Sequence, residues 1–214
     1  MIRIEDLAFA WPEGAELFGG LTMTLPSASV IAVLGPNGTG KSTLFRLIAG
    51  LERPERGRIE VAGTGVGTDA LLAQRVGAVM QNADRHFLRS TVLDEVATCP
   101  RFLGRPDPEG LAQRALQRVG LAEAGSSHPL DLDAGARRLV GLASAIAHEP
   151  QVLLLDEIQR GLDRINRQHL QAVIAEERDR GATVLVVSHD AGFIARVADQ
   201  AIRFSPGGIS LGPM

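Results

Sequence analysis

The chain has 214 residues, a formal net charge of −3 and a single cysteine, Cys99. That length suits one well-packed domain with an inserted lobe and falls short of two domains of ordinary size. The charge gives no basic surplus for neutralising phosphates, so nucleic acid is not an expected partner. One cysteine excludes a disulfide framework and any zinc site built on paired cysteines.

Residues 1–25 alternate apolar and polar side chains, with a turn-rich stretch, WPEGAELFGG, between two candidate strands, and predict an antiparallel β region. The N-terminal IRIEDLAF has no basic segment followed by an apolar run, so no secretory signal is expected and the reading is of an intracellular protein. From Val30 a short apolar strand, VIAVL, leads through a glycine-rich turn into a helix reaching Leu47, the opening of a parallel α/β layer.

That turn reads Gly35-Pro36-Asn37-Gly38-Thr39-Gly40-Lys41-Ser42 and satisfies the P-loop pattern GxxxxGK(S/T) in the strand-to-helix setting the motif requires. Its glycines let successive backbone N–H groups turn inward around phosphate oxygens, and the helix that follows presents its positive end to them. Lys41 is expected to reach the β- and γ-phosphates and Ser42 to offer its hydroxyl to Mg²⁺. Thr43 is placed to bond a phosphate oxygen nearer the base.

Between about residues 82 and 147 the β-branched runs disappear and segments such as EGLAQRALQRVGL show helical spacing, so a helical lobe is expected there. The core resumes with VLLLDE at 152–157, an apolar strand ending in two adjacent carboxylates. Asp156 suits the shell of Mg²⁺, and Glu157, released at the strand end, suits the group that orients and polarises an attacking water. A polar helix over 163–180 and a second apolar run, TVLVVS, come next, and His189 directly follows that run. A histidine there lies near the phosphate-bearing end of a parallel sheet.

In this order the motifs resemble those of the ATP-binding cassette family over nearly the whole chain. The resemblance implies a P-loop NTPase of RecA-like α/β fold, with an antiparallel β subdomain and an inserted α-helical subdomain. The single domain would divide into a core of residues 1–81 and 148–214 and a helical subdomain of 82–147. It implies that Trp11 stacks on adenine, that residues 35–43 are the Walker A segment, and that Gln81, in VMQNADRHF, is the Q-loop glutamine touching metal or attacking water. It further implies that 152–157 is Walker B, that 161–163 is the D-loop, and that His189 contacts the γ-phosphate. ATP and Mg²⁺ follow as cofactors. The implied setting is the cytoplasmic face of a membrane, beside transmembrane subunits and a second ATPase subunit. The stretch QNADRHFLRSTVLDEVA also looks like energy-coupling factor ATPases, which power uptake of vitamins and of cobalt or nickel ions. It would place Phe87, Asp94 and Glu95 near a coupling-helix groove.

One departure matters. Where the family has the signature LSGGQ, this chain has Leu132, Asp133, Ala134, Gly135 and Ala136. By resemblance, Asp133 and Gly135 stand where the segment meets the γ-phosphate held by a partner's P-loop. Asp133 caps a helix as well as serine does, but its charge compensates the helix end and repels an incoming phosphate. That favours a heterodimer with a partner whose signature is intact, a homodimer being the alternative. Ile158 and Gln159 replace the family's usual Pro and Thr beside the base and remove no catalytic group. Set against a transport ATPase are a non-transport member of the family and a nucleotide-binding module with low turnover. Coiled-coil arms or basic patches would favour the first of these, and Asp133 favours the second.

Overall fold

A computed structural model describes residues 1–12, 14–65, 72–81, 87–205 and 207–214. Strand β1 (Ile2–Ala10) pairs antiparallel with β2 (Glu16–Leu25) on one side and β4 (Arg56–Val61) on the other, and β5 (Thr64–Gly65) completes this sheet in the order β2-β1-β4-β5. The inward residues of β1 change parity along the strand: Ile2 and Ile4 are buried, then Leu7 and Phe9. A register shift between Ile4 and Leu7, with Asp6 at φ 47°, supplies the extra residue that resets the alternation. The turn is shorter than the sequence suggests. Glu16 to Gly20, the second half of WPEGAELFGG, belongs to β2, and paired glycines are accommodated inside a strand that bulges against β1.

The second sheet has six strands in the order β10-β9-β3-β8-β7-β6. Here β3 (Ser29–Leu34), β6 (Val76–Val79), β7 (Val152–Asp156), β8 (Thr183–Val187) and β9 (Gln200–Ser205) run parallel, and β10 (Gly208–Pro213) returns antiparallel at the edge. Strands β7 and β8 are buried at every residue. They read as continuous apolar runs because a parallel sheet is covered on both faces.

Neighbouring residues of those strands feed two different cores. Leu154, Leu185, Val187, Ile31 and Val33 point toward helix α1 (Lys41–Ile48) and the antiparallel sheet, joining Phe45, Leu44, Ile4 and Phe18. Leu153, Leu155, Val184, Val186 and Ala32 point the other way. There they meet α2 (Val92–Phe102), α3 (Pro108–Arg118), α4 (Ala134–Ile146), α5 (Arg164–Asp179) and α6 (Ala191–Val197). Each of these five helices is started by a side-chain cap, Thr91, Asp107, Asp133, Asp163 or Asp190, whose oxygen accepts from the amide three residues on. The helix expected over 163–180 is α5 with Asp163 and Arg180 as its two caps. Fully buried Glu177 of α5 lies between Arg180 and, at 2.7 Å, Arg118 of α3. Among the described residues no helix is long and apolar enough to cross a membrane.

Candidate functional site: a phosphate cradle at the carboxyl end of the parallel sheet

The loop from β3 to α1 wraps the first turn of that helix. Gly35, Gly38 and Gly40 have φ of 149°, 78° and 99°, a backbone that side chains rarely adopt. A Cβ on Gly35 would also lie 2.6 Å from Cβ of Phe204 on β9. Gly40 is the N-cap of α1 and offers no side chain, so the first amides of the helix stay free to bind an anion. Thr39 Oγ1 donates to the Pro36 carbonyl at 2.9 Å, which fixes the loop's outer bend. Lys41, almost fully buried, donates through Nζ to the carbonyls of Gly35 (2.8 Å) and Pro36 (2.6 Å). Burial lowers the pKa of its ammonium, and the nearby charges of Asp156 and Glu157 oppose that shift.

The end of β7 lies alongside. Ser42 Oγ donates to Asp156 Oδ2 at 2.8 Å, a contact spanning 114 positions of sequence. Asp156 is 5% exposed, and desolvation raises its pKa against the lowering effects of Ser42, Lys41 and His189. Glu157 adopts φ 55°, and its N–H donates to the Val187 carbonyl at 3.0 Å. This kink carries the chain off β7 and turns the Glu157 carboxylate into the same space as Asp156. Glu157 Oε1 lies 3.5 Å from Nε2 of His189, and Oε2 accepts from Gln159 Nε2 at 2.9 Å. His189 stands in the loop after β8, where Asp190 donates its N–H to Ser188 Oγ and starts α6.

Beside the loop, Trp11 is 38% exposed. Its ring stands edge-on to Phe9 with centroids 5.2 Å apart, its Nε1 donates to Thr43 Oγ1 at 3.4 Å, and the Arg46 guanidinium sits 5.9 Å over it. A face of the indole is thus presented beside the P-loop rather than committed to the core.

These groups line one cavity of about 540 Å³: Trp11, Asn37, Gly38, Gly40, Lys41, Ser42, Thr43, Gln81, Asp156, Glu157 and His189, together with Leu17, Arg160 and Val187. Gly35, Pro36 and Thr39 belong to the same loop but do not line the cavity. Asp133 and Gly135 do not line it. They start α4, where Asp133 Oδ1 accepts from the Ala136 amide at 2.9 Å and Asn166 of α5 is a close neighbour of Gly135. Residues 82–86 of the Q-loop stretch lie outside the described residues. Beyond them, Phe87 packs against the helical core, Asp94 pairs with Arg101 at 2.9 Å, and Glu95 Oε2 accepts from the amides of Leu88 and Arg89.

Sequence reasoning misses Leu17, Arg160 and Val187 as lining residues and does not reveal that Gln159 touches the Glu157 carboxylate. Arg160 has a legible signal, as a cation three residues past the Asp156–Glu157 pair. Leu17 has none, because the stretch around it reads as turn.

A family model described as ABC transporter matches residues 18–160. The energy-coupling factor transporter ATP-binding protein EcfA of Methanothermobacter thermautotrophicus is 32% identical over 213 residues, 97% of this chain and 68% of its own length. The cobalt import ATP-binding protein CbiO of Rhodobacter capsulatus is 34% identical over 215 residues, 97% of this chain and 76% of its own. Among solved structures, cbiO1 from Clostridium perfringens, described as part of the ABC transporter complex cbiONQ, aligns with a TM-score of 0.86 at 25% identity. That alignment covers 99% of this chain and 88% of the other.

Proposed function

This chain belongs to the ABC transporter family as an ATP-binding, ATP-hydrolysing subunit, and on that premise we propose that it drives import of a small solute, a vitamin or a metal ion, through membrane partner subunits. Its place is the cytoplasmic face of the membrane. Support for the import reading comes from similarity to proteins named for energy-coupling factor transport and for cobalt import. The observation that carries the catalytic reading is the convergence of the P-loop, Asp156, Glu157 and His189 on one cavity.

In this reading adenine lies on the open face of Trp11 and the triphosphate runs along the free amides at the start of α1. Lys41 turns from its loop carbonyls to the β- and γ-phosphates. Ser42 and Asp156 suit Mg²⁺: both offer hard oxygens, they already meet at 2.8 Å, and the carboxylate is buried without a full counter-charge. When bound, the ion neutralises charge on the phosphate oxygens. Thr43 bonds a phosphate oxygen toward the base end, and Gln81 stands at the cavity wall where metal or water would be met. Glu157 orients the attacking water and takes its proton as the oxygen–γ-phosphorus bond forms. The bond to the bridging oxygen breaks, and ADP leaves with that electron pair. His189, 3.5 Å from Glu157, faces the γ-phosphate. The helical subdomain of residues 82–147 would pass the motion to the membrane partners, with exposed Leu88 near their docking site.

The start of α4 supports a mixed dimer. An anion site needs a favourable field, whereas the Asp133 carboxylate that caps the helix compensates its positive end with a charge of its own. A partner with an intact signature would complete the site on this chain's P-loop. The same observation favours the second reading, a nucleotide-binding module of low turnover.

The test is Mg²⁺-dependent ATP hydrolysis by the purified chain beside Glu157→Gln and Asp133→Ser. Wild type is expected to bind ATP and turn over slowly, Glu157→Gln to cut that turnover to a small residual rate, and Asp133→Ser to raise it several-fold. Rapid wild-type turnover that Asp133→Ser leaves unchanged removes the case for a mixed dimer.

A further inference from the structure

Gln159, two residues past the proposed base, is 3% exposed. Its Nε2 donates to Glu157 Oε2 at 2.9 Å, while its own Oε1 is buried and accepts no hydrogen bond. Burying an amide with its oxygen unpaired is costly, and the bond to Glu157 offsets part of that cost. Gln159 takes no part in lining the nucleotide cavity. It lines a second space of about 420 Å³ together with Glu157, Arg160, Gly161, Arg167, His189 and Asp190. Glu157, Arg160 and His189 line both spaces, and Gln159 meets the carboxylate from the second.

The two oxygens of Glu157 are therefore in different states. Oε2 is occupied by the amide, whereas Oε1 is buried, accepts no hydrogen bond and stands 3.5 Å from His189 Nε2. A carboxylate turns about its last torsion over a broad, roughly two-fold well. One fixed donor breaks that symmetry. We infer that Gln159 is a positioning residue that pins Oε2 of Glu157 and so fixes the turn of the carboxylate, holding Oε1 toward His189. The backbone alone does not fix the group, because the φ of 55° sets where the side chain starts and not how the carboxylate is turned. The inference rests on Glu157 acting as the base.

The experiment is a double-mutant cycle of Gln159→Met, which keeps the volume and removes the donor, with Glu157→Gln, read by steady-state ATPase kinetics and by nucleotide affinity. Expected for Gln159→Met is a fall in kcat of about tenfold with KM and ATP affinity within about twofold of wild type, the signature of lost orientation rather than lost binding. In the Glu157→Gln background the same substitution is expected to change the residual rate less than about twofold. Unchanged kcat in the wild-type background, or equal falls in both backgrounds, overturns the inference while Glu157 stands as base. Full turnover by Glu157→Gln overturns the reading of Glu157 and the inference with it. A crystal structure of Gln159→Met tests the same point independently of rate: the carboxylate is expected to leave its approach to His189, and an unmoved carboxylate overturns the inference.

Discussion

His148 shows how one side chain can carry a pH dependence that has nothing to do with catalysis. It follows α4 directly, is 2% exposed, and has Nδ1 3.4 Å from the sulfur of Cys99 on α2. Burial, with Arg105 and Arg180 nearby, lowers its pKa from 6.5 to about 4. Between those values the unfolded chain takes up a proton at this site and the folded chain does not, so stability falls as pH drops through 6.5 toward 4 and is unaffected above that window. Urea unfolding at about pH 7 and about pH 4.5 should show a difference about 2 kcal/mol smaller in His148→Gln than in wild type. If the two proteins lose stability in parallel, His148 is not the group responsible. None of this is legible in the sequence, where a histidine before Glu-Pro reads as surface. What places it inside is the packing of α4 on β6.

That packing is set by one close approach. Gly77 of β6 faces α4 so closely that a Cβ would lie 2.1 Å from the Ala145 carbonyl, a backbone atom that cannot step aside. Gly77→Ala should destabilise by about 1–3 kcal/mol, seen as a lower urea midpoint with an unchanged slope. A neutral substitution would mean that the helix rides on side chains instead. At this scale the sequence is informative where a single local pattern determines an element. The P-loop, the VLLLDE strand and the helix capped by Asp163 each carry their signal within a few residues, and all stand where those residues predict them. It is uninformative where an element depends on a distant neighbour. The Leu17 portion of β2 is a strand because β1 pairs with it, and Gln159 matters because the kink at Glu157 turns a carboxylate back toward it. Neither contact leaves a period or motif in the chain.

For the whole molecule, the expectation that follows from the start of α4 concerns assembly. Glu157→Gln, which should hold ATP unhydrolysed, is expected to remain monomeric with MgATP by size-exclusion chromatography with light scattering. Adding Asp133→Ser should shift it toward a dimer. Dimerisation of the single variant would show that the Asp133 carboxylate does not keep two copies apart. A last consequence comes from the way the cores are divided. The walls of the nucleotide cavity are not two jaws with a seam between them. Phe18 of the antiparallel sheet stands edge-on to Phe204 of the parallel one with centroids 6.4 Å apart, and both belong with Phe45 and Leu44 of α1 to one apolar cluster. Parting the sheets would wet several of these side chains at about 1.5–3 kcal/mol each. The cradle therefore behaves as a fixed anvil: its two sheets do not part as nucleotide enters and leaves.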